Sequence, residues 1–250
     1  MCTTYLRGIP EFPEAGCLKF SIVVPTYNES AGIEKLVRRL TEVFQGANLD
    51  GEIVVVDDNS PDGTGGIVDR LEHEGLPVRC LHRPGKLGLS SGVIDGWHFA
   101  RPDSEIVGAM DADFSHDETI LPHMVRAIES GGFDLAIGSR YVRGGGISNW
   151  PWRRKITSLV ACWMARPLTR VKDITSGFFL VRRSALEGVA LDPIGFKIGL
   201  EVVVKAKYRR FIEIPYVFTD RVAGESKLNS KEIVNYLKQL GKMYRARFAR

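Results

Sequence analysis

The chain has 250 residues, 44% of them hydrophobic and 26% charged, with a formal net charge of +4. That length suits one large α/β domain with a sizeable core, and no run approaches the roughly 18 apolar residues of a membrane-spanning helix. Cys2, Cys17, Cys80 and Cys162 are scattered and form no CxxC pair, which argues against a zinc knuckle or a disulfide framework and fits a reducing cytoplasm.

Residues 1–19 carry prolines and acids where a signal peptide would have its apolar stretch, and read as an irregular lead-in. FSIVV (20–24) is a short β-branched strand stopped by Pro25, after which Ile33, Leu36, Val37, Leu40, Val43 and Phe44 recur at helical spacing. EIVVVDD (52–58) is a second buried strand, GIVDRLEHEG a helix ended by Gly75, and VRCLH (78–82) a third strand. LGLSSGVIDGWHFA (87–100) is a glycine-led loop entering a helix. IVGAMDAD (106–113) is a fourth strand, LPHMVRAIESGG its helix, and DLAIGSRY (134–141) a fifth strand. Apolar strands alternating with helices predict a mostly parallel sheet covered on both faces. In such sheets ligands bind beyond the C-terminal strand ends.

Those ends are polar: PTYNE (25–29), DDNSPDGT (57–64), DADFSH (111–116) and GSRY (138–141). Strand alternation sends Asp111 and Asp113 to one side with Ala112 turned away. Two carboxylates so placed repel unless a cation or donor lies between them. Either they hold a hard divalent cation such as Mg²⁺ or Mn²⁺ together with a substrate diphosphate, or one of them caps the helix near Asp117. DDNSPDGT reads either as a plain Asx turn or as a carboxylate edge facing the N–H groups of a nucleobase. GKLGLSSG offers small residues and Lys86 to a phosphate, but is neither GxGxxG nor a P-loop. No GxSxG elbow is present, and the five histidines show no metal-ligand spacing.

VVPTYNE, VVVDDNSPDGT, MDADFSH, IGSRYVRGG, SGFFLVRR, IGFKIGLEVVVKAK and DRVAGESKL, in that order, resemble the glycosyltransferase family 2 enzymes of the dolichol-phosphate mannose synthase type. The resemblance runs from about residue 20 to residue 240 and implies a GT-A fold, a GDP-mannose or related nucleotide-sugar donor, a dolichyl or other polyprenyl phosphate acceptor, and inversion at the anomeric carbon. Carried over by position, Pro25, Tyr27 and Glu29 border the nucleotide, and Asp58, beside Asp57, reads the base. Asp111 and Asp113 hold the metal, with Ser115 where other members place glutamine or serine. Arg140, Arg154, Ser158 and Arg221 surround the diphosphate and the acceptor phosphate, with Ser226 and Lys227 on a neighbouring loop. An anionic phosphate acceptor needs no general base; it needs cations that let two anions approach, and arginine supplies them.

WPWRRKITSLVACWMARPLTRVK (150–172) has six cations and no acid, with Ile156, Leu159, Val160 and Trp163 at helical spacing. Residues 231–250 hold +5 of the net charge and place Ile233, Leu237, Leu240, Tyr244 and Phe248 along one stripe. Both segments match interfacial helices, so the expected organisation is a lead-in (1–19), a catalytic domain (20–228) and a basic amphipathic helix (229–250) at a membrane surface. Many relatives continue into transmembrane helices after this tail. The expectation is therefore a peripheral protein on the cytoplasmic face of a membrane, the soluble part of a larger one, or a chain relying on a membrane-anchoring subunit. No recognition motif or aromatic platform supports nucleic acid. The rival readings are a UDP-glucose-dependent polyprenyl-phosphate glucosyltransferase and a catalytically silent nucleotide-sugar-binding scaffold.

Overall fold

The computed structural model describes residues 11–13, 18–195, 197–219 and 230–248. In chain order the elements are β1 (Phe20–Thr26), α1 (Ile33–Gly46), β2 (Gly51–Asp57), α2 (Thr64–His73), β3 (Val78–His82), α3 (Leu89–Phe99), β4 (Ile106–Ala109), α4 (Leu121–Glu129), β5 (Leu135–Ser139), β6 (Gly146–Ile147), α5 (Trp152–Ala165), β7 (Phe179–Arg182), α6 (Ile198–Lys205), β8 (Phe211–Pro215), β9 (Val217–Phe218) and α7 (Ser230–Phe248). Seven strands form one sheet in the order β3-β2-β1-β4-β7-β5-β8, and β6 pairs with β9 beside it. All neighbours in the large sheet are parallel except β7, which runs antiparallel to both β4 and β5.

The two sheet faces bury separate cores. Ile22, Val24, Ile53 and Val55 point to the side covered by α1, α2 and α4. Val23, Val54 and Val56, one residue out of phase, belong to the core on the other face, together with Val93 and Trp97 of α3 and, farther along it, Leu200, Tyr236 and Leu240 of α6 and α7. Alternate residues of one strand thus feed two layers, which is why the strands are apolar throughout. β1 continues through the expected stop at Pro25 to Thr26, these two residues being in register with Val56 and Asp57. Proline is tolerated there because its missing N–H faces the β4 side, where the last bond, from Met110 N–H to the Val23 carbonyl, has already been made.

β4 is shorter than expected. It ends at Ala109, so Asp111 and Asp113 lie in the bend that follows and not on the strand itself. The cap near Asp117 is supplied by Asp117, whose carboxylate accepts from the Thr119 N–H at 3.0 Å. This removes capping as the reason for the two earlier carboxylates.

The tail helix α7 packs on the domain, with Tyr236, Gln239, Leu240 and Met243 buried. The Tyr236 and Tyr244 hydroxyls donate to the Ala161 and Met164 carbonyls of α5, each at 2.5 Å. The expected apolar stripe therefore splits. Leu240 faces the core, Ile233 and Leu237 remain exposed, and the side chain of Phe248 lies outside the described residues.

Candidate active site

The polar strand ends meet at one edge of the sheet, as parallel topology requires. Three backbone N–H groups after β1 are tied to the loop after β2: Asn28 to Ser60 Oγ, Glu29 to Thr64 Oγ1 and Ser30 to Asp62 Oδ2, each at 3.0 Å. Asn28 and Asn59 turn these loops with φ of 60° and 57°, a region that asparagine tolerates better than most residues. Tyr27 and Lys86 form one wall, with the lysine Nζ 3.7 Å from the ring centre.

Asp57 and Asp58 are buried and already engaged. Asp57 accepts from Thr26 Oγ1, from the Ser60 hydroxyl and from the Ser60 N–H. Asp58 accepts from Arg83 Nη1 at 2.5 Å and from the Gly88 N–H at 2.9 Å. In the structure Asp58 thus clamps the 83–88 loop, and a base bound here would share oxygens that loop already uses. Arg83, unnoticed in the sequence, is itself buried and also pairs with Asp95 at 3.1 Å.

Beyond β4 opens a cavity of about 240 Å³ lined by Pro25, Asp111, Asp113, Arg140, Arg154 and Ser158. The two aspartates reach it from the bend, while Ala112 is buried in the core on the other side. Phe114 holds the bend with φ of 56°, a backbone state uncommon for an aromatic residue and frequent at functional sites. Asp113 Oδ1 accepts from the Ser115 N–H at 3.1 Å, and Ser115 Oγ is buried with no hydrogen-bond partner. A Cβ at Gly177 would stand 3.5 and 3.7 Å from the two Asp111 oxygens, so glycine leaves the space before that carboxylate open.

His116 sits behind Asp111. Its Nδ1 accepts from the Asp111 N–H at 3.2 Å, and its ring stacks on Phe178 with centroids 5.2 Å apart. Burial lowers its pKa against the pull of Asp111 and Asp113, keeping the imidazole neutral. Arg140 is 7% exposed. Its Nε and Nη2 donate to the two oxygens of Asp173 at 2.7 and 2.6 Å, and Nη2 donates to Thr175 Oγ1 at 2.7 Å. Burial opposes the charge, but the bonds to Asp173 outweigh it and raise the pKa, so the guanidinium stays cationic. Arg154 and Ser158 share one face of α5 at i and i+4. Arg154 lies 3.9 Å from the centre of the Trp150 ring, and Ser158 Oγ is 3.2 Å from Thr175 Oγ1.

Sequence reasoning assigned no role to Asp173, Thr175 or Lys197, although the last falls within the quoted IGFKIGLE run. Lys197 lines the cavity, and burial, then Arg140, push its amine down to about 8. No local pattern marks these residues, because they come together only when α5, β7 and α6 fold over the strand ends. The expected Arg221, Ser226 and Lys227 lie outside the described residues.

The cavity also has an apolar end. Val160, Ala161 and Met164 of α5 and Ile233, Tyr236 and Leu237 of α7 line it there. Outside, α5 exposes Trp152 (66%), Ile156, Leu159 and Trp163 (74%), beside exposed Val234 of α7. Soluble surfaces seldom gather this much apolar area unless it meets a partner or a membrane.

Comparison with known proteins agrees with this arrangement. The model of "Glycosyl transferase family 2" matches residues 21–189. A dolichol-phosphate mannosyltransferase from Pyrococcus furiosus is 44% identical over 227 residues, 89% of this chain and 63% of that protein. One from Saccharomyces cerevisiae is 37% identical over 244 residues, 92% of this chain and 89% of that protein. The chain thus spans less than two thirds of the Pyrococcus relative and most of the yeast one. A mannosyltransferase from Pyrobaculum calidifontis, solved in complex with GDP-Man and Mn²⁺, shares the fold with a TM-score of 0.61 at 18% identity, over 92% of this chain and 64% of that one. The chain has the α/β architecture of the GT-A enzymes, and it belongs to glycosyl transferase family 2, alongside the dolichol-phosphate mannosyltransferases.

Proposed function

We propose that this chain transfers mannose from GDP-mannose to the phosphate of a dolichyl or other polyprenyl phosphate, with inversion at the anomeric carbon. The observation that carries the reading is the two-ended cavity. Carboxylates, two arginines and a lysine lie at one end, and apolar side chains of α5 and α7 form the other. An acceptor with an anionic head and a long apolar tail matches both ends. The sugar and the nucleotide rest on kinship with the mannosyltransferases.

Asp111 and Asp113, with the hydroxyl of Ser115, would hold Mg²⁺ or Mn²⁺. The donors are all oxygen, the Ser115 hydroxyl has no other partner, and Gly177 leaves Asp111 uncovered. When bound, such an ion neutralises charge on the departing diphosphate. Arg140 and Arg154 supply the fixed positive charge that lets the acceptor phosphate approach the donor, and Asp173 holds Arg140 in place before either arrives. Lys197 adds positive charge to the same wall. His116 has its Nδ1 occupied by the Asp111 N–H, which suits a positioning role; an anionic nucleophile needs no base. Tyr27 and Lys86 border the nucleotide side, and Arg221 and Lys227 are expected to complete the phosphate shell.

The exposed side chains of α5 and α7 would dip into a membrane surface, with Arg153, Arg154 and Lys155 at headgroup level. No helix of the described residues is long and apolar enough to cross a membrane; the contact proposed for α5 and α7 is an interfacial one at the cytoplasmic face, with or without an anchoring subunit. Calorimetry with Mn²⁺ present tests the nucleotide: GDP should bind more tightly than UDP. Tighter UDP binding would transfer the reading to a UDP-glucose enzyme acting on the same acceptor.

A further inference from the structure

A second group of ligand-type side chains lies at the edge of the sheet, outside the cavity. β3 is an edge strand, paired only with β2. Cys80 and His82, at i and i+2, point to the same face. That face is covered by α2, which brings Asp69 over it. The Cys80 sulfur, a ring nitrogen of His82 and a carboxylate oxygen of Asp69 all lie within 4.8 Å of one another. Among the described residues no other three His, Cys, Asp or Glu side chains meet this closely.

We propose that Asp69, Cys80 and His82 form a binding site for a zinc-class divalent cation, separate from the all-oxygen site at Asp111 and Asp113. Thiolate, imidazole and carboxylate together are the donor set that such ions select, whereas Mg²⁺ and Ca²⁺ prefer oxygen alone. Three protein ligands leave a fourth position for water. The histidine is already oriented, with Nε2 2.9 and 3.1 Å from the two Asp69 oxygens. The surroundings are anionic as well. The Asp57 carboxylate lies on the same side, against Gly65 and close to the His82 ring. A bound cation would take the proton's place on the thiol and meet the Asp69 carboxylate directly.

Gly65, at the start of α2, makes the approach possible. A Cβ there would stand 2.7 Å from His82 Cε1 and 3.3 Å from Asp57 Oδ2. The site thus adjoins Asp57, whose carboxylate ties the Ser60 turn of the nucleotide-side loop. A cation here would staple α2 to β3 and stiffen that loop from behind. This inference does not depend on which sugar or acceptor the enzyme uses.

The test is a titration of metal-stripped protein with Co²⁺, followed by thiolate-to-cobalt charge-transfer absorption. Wild type should saturate with one equivalent at that signal. Cys80→Ser should abolish it, His82→Ala should weaken binding by about tenfold or more, and Asp113→Ala should leave it intact because Asp113 offers only oxygen. Zn²⁺ should displace the signal and raise the melting temperature of wild type but not of Cys80→Ser. Absence of the absorption in folded wild type would overturn the proposal. So would its persistence in Cys80→Ser, which would place the ion on another cysteine. Because Cys80 is partly buried, far-ultraviolet circular dichroism of the metal-free variants is compared first. His82→Ala, at an exposed position, provides the variant least able to disturb the fold.

Discussion

Asp173 is the residue on which the proposed phosphate-binding wall depends, and replacing it separates structure from chemistry. Its carboxylate receives Arg140 Nε at 2.7 Å, Nη2 at 2.6 Å and the Arg140 backbone N–H at 2.9 Å, at a site where both side chains are nearly inaccessible to water. Asp173→Ala leaves a buried guanidinium without its counter-charge, which costs about 3–5 kcal/mol. At about 2–4 °C per kcal/mol for a chain of this size, the melting temperature should fall by about 6–20 °C. Arg140→Met strands the carboxylate instead and should cost a similar amount. The double variant Arg140→Met, Asp173→Leu replaces the pair with apolar volume and should regain most of the loss. Its activity should stay about 10²–10³-fold below wild type, as expected when a preorganised charge is removed from a transition state. Thermal unfolding by circular dichroism, run beside mannosyl transfer to a short polyprenyl phosphate, reads both quantities. A double variant that regained stability and activity together would refute the role given to Arg140.

Asp113→Ala should remove most of the activity and weaken donor binding, and excess EDTA should do the same to wild type; undiminished turnover in EDTA would end the metal assignment. Trp163→Ser combined with Ile233→Ser should reduce binding to vesicles containing anionic lipid, and should lower turnover of a membrane-embedded acceptor more than of a short soluble one. Equal losses on both acceptors would show that this surface is not the membrane contact. These exposed positions are a cleaner test than removing residues 241–250, a deletion that would strip the buried Met243 and the Tyr244 bond to α5. Asp62 has a pKa lowered to about 2; burial opposes the shift, and the bonds from Thr64 and Ser30 outweigh it. Its stabilisation is therefore complete above the unfolded carboxylate value and is lost as pH falls from about 4 toward 2. The melting-temperature gap between wild type and Asp62→Asn should close over that window, and a gap independent of pH would contradict the assignment.

Much of this architecture was legible because it rests on local pattern. Runs such as IVVV and LAIG are apolar on consecutive residues only when both sheet faces are covered, and VRCLH was bounded by the turns on either side of it. The same signal placed the polar strand ends, with Asp111, Asp113 and Arg140, at one edge, and the family resemblance added Arg154 and Ser158, which line the same cavity. What the pattern misjudged was local backbone. Pro25 did not end β1, because its neighbour on that side had already departed, and β4 released its chain before the aspartates, so a strained bend at Phe114, not strand alternation, aims them. The antiparallel β7, inside the SGFFLVRR motif, was not read as a strand, since four residues are too few to show a period. Asp58 reads as a base contact from its position in the motif, yet its oxygens are bound to Arg83 and Gly88, a pairing set by tertiary contacts that no spacing encodes. The tail helix forms where it was expected, but one of its faces was not legible for a similar reason. Its cations Lys238, Lys242, Arg245 and Arg247 are exposed, whereas Tyr236, Gln239 and Met243 lie on the face that packs; of its large apolar side chains Ile233, Val234 and Leu237 remain exposed.

The central claim is the transfer of mannose to a lipid phosphate, and product formation tests it most directly. Purified protein with Mn²⁺ is incubated with GDP-mannose, GDP-glucose, UDP-glucose or UDP-N-acetylglucosamine, and with either a polyprenyl phosphate or the matching polyprenol, and the lipid products are identified by mass. The account predicts a mannosyl phospholipid from GDP-mannose and the polyprenyl phosphate, none from the polyprenol, and little from the UDP-sugars. A glucosyl product formed from UDP-glucose in preference, or sugar transferred equally well to the free alcohol, would contradict it.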